Sequence, residues 1–126
     1  MRLLLDTAVL VFAIEAPEKL SKRAGSVLEN QENLADISAI SLAEMAIKSA
    51  TGKLKIFPER LKQAIQDMGL RVLPFTAAHA FELFSLPLHH RDPFDRQLIA
   101  QALAERIPIV TPDAEFRRYK GLEVIW

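Results

Sequence analysis

The chain contains no cysteine. That excludes disulfides, thiolate zinc sites and thiol nucleophiles at once, and it removes the usual reason to suspect secretion. Glycine is scarce, with four residues in 126, so there is no glycine-rich loop to cradle a phosphate on backbone N–H groups. No serine sits in a Gly-x-Ser-x-Gly setting. Neither sign of charge is in excess: 16 Lys and Arg balance 16 Asp and Glu, which gives no global support to nucleic-acid binding. Long hydrophobic runs are missing too. The longest, Ala8 to Ile14, falls well short of the roughly 20 residues that cross a bilayer. The leucine run before Asp6 is too short for a signal-peptide core. The expectation is a cytoplasmic protein with no membrane contact.

What is present is ordinary for a soluble globular chain, with 50% hydrophobic and 25% charged residues. The length fits one domain spanning residues 1–126. No repeat, low-complexity segment or internal linker interrupts it. Short apolar segments at 2–5, 37–40, 70–73, 107–110 and 122–126 read as strands. Helical patterns fill 8–14, 18–31, 41–50, the stretch from Pro58 to Gly69, the stretch from Thr76 to before Pro87, and the stretch opened by Asp92-Pro93. A short helix is expected from Ala114 to Tyr119. All-apolar strands alternating with helices predict an α/β fold whose parallel sheet is covered on both faces.

Four acids stand where an apolar segment meets a turn or a helix start: Asp6, Glu44, Asp95 and Asp113. A carboxylate beside a core costs free energy unless something offsets it. Four gathered together would repel one another until a hard divalent cation neutralised them. In open parallel sheets ligands bind beyond the carboxyl ends of the strands. Asp6, Glu44 and Asp113 belong to that edge on topology. Asp95 lies in the helix before the fourth strand, so its place is not given by sequence.

Each acid also has a plain structural reading. Ser41-x-x-Glu44 has the form of a capping box. In Asp92-Pro93-Phe94-Asp95, Asp92 reads as an N-cap and Asp95 as an acid favoured by the helix dipole. Asp6 before Thr7 fits a cap, and Thr111-Pro112-Asp113 fits a turn. The two readings are compatible, because a helix amino end keeps a carboxylate ionised.

Other chemistry is less well supported. His89 and His90 are adjacent, which suits a loop better than a shared helix face, and His79 has no partner at ligand spacing. Lys48, Lys53, Lys55, Arg60 and Lys62, with Arg117, Arg118 and Lys120, either flank the acids and hold a polyanion or form solvated helix faces.

The segments LLLDTAVLVFA, ISAISLAEMAIK, HHRDPFDRQLIAQAL and IVTPDAEFRRY…VIW, taken together, resemble PIN-domain ribonucleases, in particular the VapC-like toxins of bacterial toxin–antitoxin pairs. The likeness spans essentially the whole chain in order, and HHRDPFDRQLIAQA is its most specific part. It implies a three-layer sandwich with a parallel sheet of about five strands. It also implies Mg²⁺- or Mn²⁺-dependent hydrolysis of RNA phosphodiester bonds, with one or two ions held by Asp6, Glu44, Asp95 and Asp113. Thr111 would support the metal site, and Asp92 would act as a cap or supporting residue before a ligand. Arg91 and Arg96 would contact phosphate. A small antitoxin and a second copy of the chain are the implied partners. The apolar faces of 18–31 and 41–50 would serve those contacts or the core. The chain departs from the family pattern at Ala8, where relatives often have His, and at Phe12, where they often have Trp. Neither change removes a metal-binding group.

Three alternatives share these features. One is a non-catalytic PIN-like module that binds RNA or a partner. Another is a receiver-like signalling domain, which expects paired acids after the first strand and a strand-end Lys, neither present here. The third is a DNA-directed nuclease.

Overall fold

The computed structural model describes all residues, 1–126. Five strands, β1 (Arg2–Leu5), β2 (Leu34–Ser38), β3 (Arg71–Leu73), β4 (Ile109–Val110) and β5 (Val124–Ile125), form one sheet in the order β3-β2-β1-β4-β5, and every pairing is parallel. Six helices join them: α1 (Thr7–Glu15), α2 (Lys22–Glu29), α3 (Ala39–Ala50), α4 (Pro58–Asp67), α5 (Ala77–Glu82) and α6 (Pro93–Glu105).

Leu3–Leu5 of β1, with β4 and β5, are apolar on both sides because both sides are covered, whereas β3 leaves Arg71 and Val72 exposed at the sheet edge. Successive strand side chains alternate between faces. Leu3, Leu5, Ile37, Val110 and Ile125 enter one core with Val9 and Leu10 of α1, Ala24 of α2 and Met45 of α3. Leu4, Ile109 and Val124 enter the other, against Leu98, Ile99 and Ala102 of α6 and Phe116. Each fully buried Leu or Ile contributes roughly 1.5–3 kcal/mol of transfer free energy. Two such cores against one sheet make the three-layer arrangement expected. No helix is long and apolar enough to cross a membrane.

The second strand differs from expectation. It covers Leu34–Ser38 rather than 37–40, with Asp36 in its middle. Asp36 is tolerated there because Arg2 on β1 and Arg71 on β3 flank it. Its two carboxylate oxygens each lie 2.9 Å from an arginine nitrogen. The strand therefore ends earlier, and Ser38 instead of Ser41 caps α3 by accepting from the Ile40 N–H at 3.0 Å. The expected Ser41–Glu44 capping box does not form. Ser41 lies inside the helix, fully buried, and accepts a hydrogen bond from the Thr7 hydroxyl at 2.8 Å.

The helix expected over 18–31 is also shorter. A 3₁₀ turn at Pro17–Lys19 precedes it, and Ser21 starts α2 by accepting from the Ala24 N–H. The short helix after β4 is a 3₁₀ turn, Ala114–Arg118. Asp92 caps α6 as expected, accepting from the N–H groups of Phe94 and Asp95.

Strand order places the candidate site. From β1 the chain steps outward to β2 and β3, then returns past β1 to lay β4 on its other side. The carboxyl ends of β1 and β4 therefore border a switch point, where open α/β sheets leave a crevice. The segments that leave those two ends carry Asp6 and Thr111–Asp113.

Candidate metal centre

Asp6 follows β1 directly, and its N–H donates to the Val110 carbonyl at 3.0 Å, which fixes the ends of β1 and β4 side by side. That brings Thr111, the next residue along, against Asp6. The Thr111 hydroxyl donates to Asp6 Oδ2 at 2.7 Å and accepts from the Asp113 N–H at 3.0 Å. Asp113 then caps the following 3₁₀ turn, its Oδ1 accepting from the Glu115 N–H at 2.9 Å. Asp6 occupies the N-cap position of α1 but makes no side-chain cap hydrogen bond. Its carboxylate is turned to other use.

Glu44 comes from α3, tied to the start of α1 by the hydrogen bond between Thr7 and Ser41. It is 4% exposed. Lys48, one turn on, places Nζ 2.6 Å from Oε2, while Oε1 is buried with no hydrogen-bond partner. Asp95 lies in the first turn of α6, where no donor reaches its side chain in hydrogen-bond geometry. Asp6, Glu44, Asp92, Asp95 and Asp113 line one cleft of about 460 Å³, together with Lys48 and Lys53.

Crowding shows in the electrostatics. Burial, and then the charges of Asp6 and Asp92, push the Asp95 carboxyl up to about 7, against a partial opposing effect of His90. Burial likewise raises Asp6, and the Thr111 hydroxyl opposes it. Lys48 is raised chiefly by its hydrogen bond to Glu44. Carboxylates held this way are at odds with one another unless a cation joins them.

The residues fit a hard divalent cation on two counts. The donors are carboxylate oxygens drawn from separate segments, the set that Mg²⁺ and Mn²⁺ prefer. The buried, unpartnered Glu44 Oε1 is the kind of orphan that natural folds seldom leave without a partner, and a cation would supply one.

Of the residues singled out from sequence, Asp6, Glu44, Asp92, Asp95 and Asp113 reach the cleft, and Thr111 supports it from below. The two arginines do not line it. The Arg96 guanidinium is engaged by the loop before α6, donating to the carbonyls of Leu86, Pro87 and His90. A guanidinium held to three carbonyls anchors the loop, away from the cleft lining where the expected phosphate contact would lie. Arg91 is exposed and lies outside the cleft lining. The cations that do line the cleft are Lys48 and Lys53, from the basic stretch noted in the sequence. His90 was read only as a loop residue. Its Nε2 lies 2.9 Å from Asp113 Oδ2 and 3.1 Å from Asp95 Oδ2. Donor atoms of these three residues all fall within 4.8 Å of one another. The available signal was its position two residues before the Asp92 cap.

The sequence matches the PIN domain family over residues 3–122. The chain belongs to that family. Solved structures agree on the fold of this PIN domain. A chain in the crystal structure of VapBC2 from Rickettsia felis, bound to a promoter DNA fragment, superposes with a TM-score of 0.72 at 23% identity, covering 98% of this chain and 97% of that one. A chain of DNA-bound VapBC from Salmonella typhimurium gives 0.72 at 20% identity, with coverages of 98% and 96%. One from VapBC-5 of Mycobacterium tuberculosis, a member of the VapBC family of toxin–antitoxin systems, gives 0.61 at 16%, also with 98% and 96%. No curated protein sequence matches this PIN domain at a significant level.

Proposed function

We propose that this PIN domain is a Mg²⁺- or Mn²⁺-dependent endoribonuclease and the toxin of a toxin–antitoxin pair. The observation that carries the reading is the acidic cluster in the cleft, with the buried Glu44 Oε1 unpartnered and Asp95 pushed to about 7. Asp6, Glu44 and Asp95 would hold the cation, with Asp113 beside them as a further ligand or a water-positioning group. When bound, such a cation supplies an activated water at neutral pH and neutralises charge on the phosphate under attack.

The chain's own residues do the rest. The Thr111 hydroxyl holds Asp6 in place, and the Thr7–Ser41 bond fixes α1 against α3, so the spacing of Asp6 and Glu44 is set before substrate arrives. Lys48 and Lys53 put positive charge beside the acids, where a phosphodiester backbone would pass.

The toxin assignment rests on the whole-length likeness to chains from VapBC complexes. That likeness supports a small antitoxin as partner; on this proposal RNA and a second copy of the chain would be the others, in the cytoplasm. The test is incubation of purified, partner-free protein with structured and single-stranded RNA, in Mg²⁺ or Mn²⁺ and then in EDTA, beside Asp6→Asn and Asp95→Asn. Cleavage that needs metal and disappears in both variants is expected. Cleavage in EDTA, or full activity in both variants, would sink the mechanism. Absence of cleavage on every RNA, with binding retained, would favour a non-catalytic RNA-binding module.

A further inference from the structure

We infer that His90 is a positioning residue, which holds Asp113 toward Asp95 through its Nε2–H and is not itself a metal ligand. The inference deepens the metal reading above and rests on it. With His90, Asp95 and Asp113 donor atoms so close together, a His-Asp-Asp ligand triad is the obvious first assignment. The surroundings of the ring argue against it.

The Asp92 N–H donates to His90 Nδ1 at 3.2 Å. A nitrogen that accepts a hydrogen bond carries no proton, so the neutral ring carries its proton on Nε2. A protonated ring nitrogen has no lone pair to give a cation. Moving the proton to Nδ1 would set one N–H against another. Nε2 is therefore a donor, and its hydrogen bond goes to Asp113 Oδ2 at 2.9 Å. Asp95 Oδ2, 3.1 Å from the same nitrogen, shares the positive end of that dipole.

The ring is built into place. Phe116 meets it edge-on, with centroids 5.5 Å apart. Its backbone is anchored independently: the His90 N–H donates to the Tyr119 hydroxyl at 2.8 Å, and its carbonyl accepts from Arg96 at 3.3 Å.

Asp113 is the acid that needs help. Its side chain is 34% exposed, and Oδ1 is committed to the Glu115 N–H. Without His90, nothing opposes its repulsion from Asp95, and Oδ2 is free to swing toward water. Asp92 also gains a purpose beyond capping. Its side chain starts α6, while its backbone N–H sets the tautomer that aims His90.

The test is Mn²⁺ binding to metal-free protein, followed by calorimetry and by the spin resonance of free Mn²⁺. His90→Ala is expected to weaken binding by roughly 10- to 100-fold, the usual effect of losing a group that orients a ligand. His90→Gln, which can return an amide N–H to the Nε2 position, is expected to recover most of the loss. Added to Asp113→Ala, His90→Ala should cost little more, because it acts through Asp113. Melting in EDTA checks that each variant folds. Wild-type affinity in His90→Ala, equal losses in the Ala and Gln variants, or additive losses with Asp113→Ala would each overturn the inference while leaving the metal site standing. If the wild-type protein binds no Mn²⁺, the metal reading fails first and this one falls with it.

Discussion

Replacing Asp95 by Asn is expected to stabilise the metal-free protein and weaken the metal-bound one. In the folded chain Asp95 titrates near 7, against 3.8 for the free group. A carboxyl raised by folding contributes stability that is complete below the unfolded value and lost as pH rises through the folded one. At pH 8 the full displacement, at about 1.4 kcal/mol per tenfold change in proton affinity, sets an upper bound of about 4 kcal/mol. The side chain is 19% exposed, and Asn also forfeits the dipole benefit of an acid in the first turn of α6. A net gain of about 1–2 kcal/mol is therefore the reasonable expectation. For a domain of this size that is a rise of roughly 4–8 °C in melting temperature.

The assay is thermal melting of both proteins in EDTA at pH 5 and pH 8, repeated in saturating Mn²⁺. In EDTA the advantage of the Asn variant should be largest at pH 8 and shrink at pH 5. In Mn²⁺ the order should reverse, because binding stabilises the wild type by about 2.7 kcal/mol at a hundred times Kd. A variant no more stable than wild type at pH 8 in EDTA would refute the crowding argument, as would an advantage that ignores pH.

Three further outcomes follow from the same contacts. Thr111→Val removes the donor to Asp6 and the acceptor for the Asp113 N–H, so urea denaturation should show a loss of about 1–3 kcal/mol together with weaker Mn²⁺ binding; Thr111→Ser should behave as wild type. Lys48→Met takes a competing cation from Glu44 while removing a charge near the substrate path, so Mn²⁺ affinity should hold or rise as KM for RNA climbs several-fold, with kcat less affected. Asp36→Ala strands Arg71 and leaves Arg2 with Glu105 alone, both arginines being one-third to one-half exposed, so the cost should be about 1–3 kcal/mol in denaturant with unchanged cleavage by the folded fraction.

The sheet was legible where its strands are buried on both faces, as in β1, β4 and β5, and so read as unbroken apolar runs. Where polar residues enter the sheet, legibility failed. Asp36 looked like loop because its neutralising partners, Arg2 and Arg71, are 34 and 35 residues away. The error at β2 moved the start of α3 and lent the Ser41–Glu44 pair a capping role that Ser38 holds. Glu44 nonetheless lines the same cleft as Asp6, Asp95 and Asp113.

Asp95 could not be placed from sequence because its position depends on the crossover from β3 to β4, which no local pattern encodes. The loop contacts of Arg96 were hidden for a related reason. Exposed loop carbonyls compete for guanidinium groups as well as phosphates do, and only the fold shows which are in reach. His90 illustrates the limit most clearly. Its chemistry depends on a backbone N–H two residues away and on an aspartate 23 residues away.

The claim on which the rest depends is that these carboxylates form one divalent-metal site. It is tested most directly by titrating Mn²⁺ into metal-free wild type and Glu44→Gln while following the free-ion signal. The account predicts saturable binding by the wild type at one or two ions per chain, and loss or strong weakening in the variant, which keeps size and shape but not charge. Equal binding by both proteins, or none by the wild type, would contradict it.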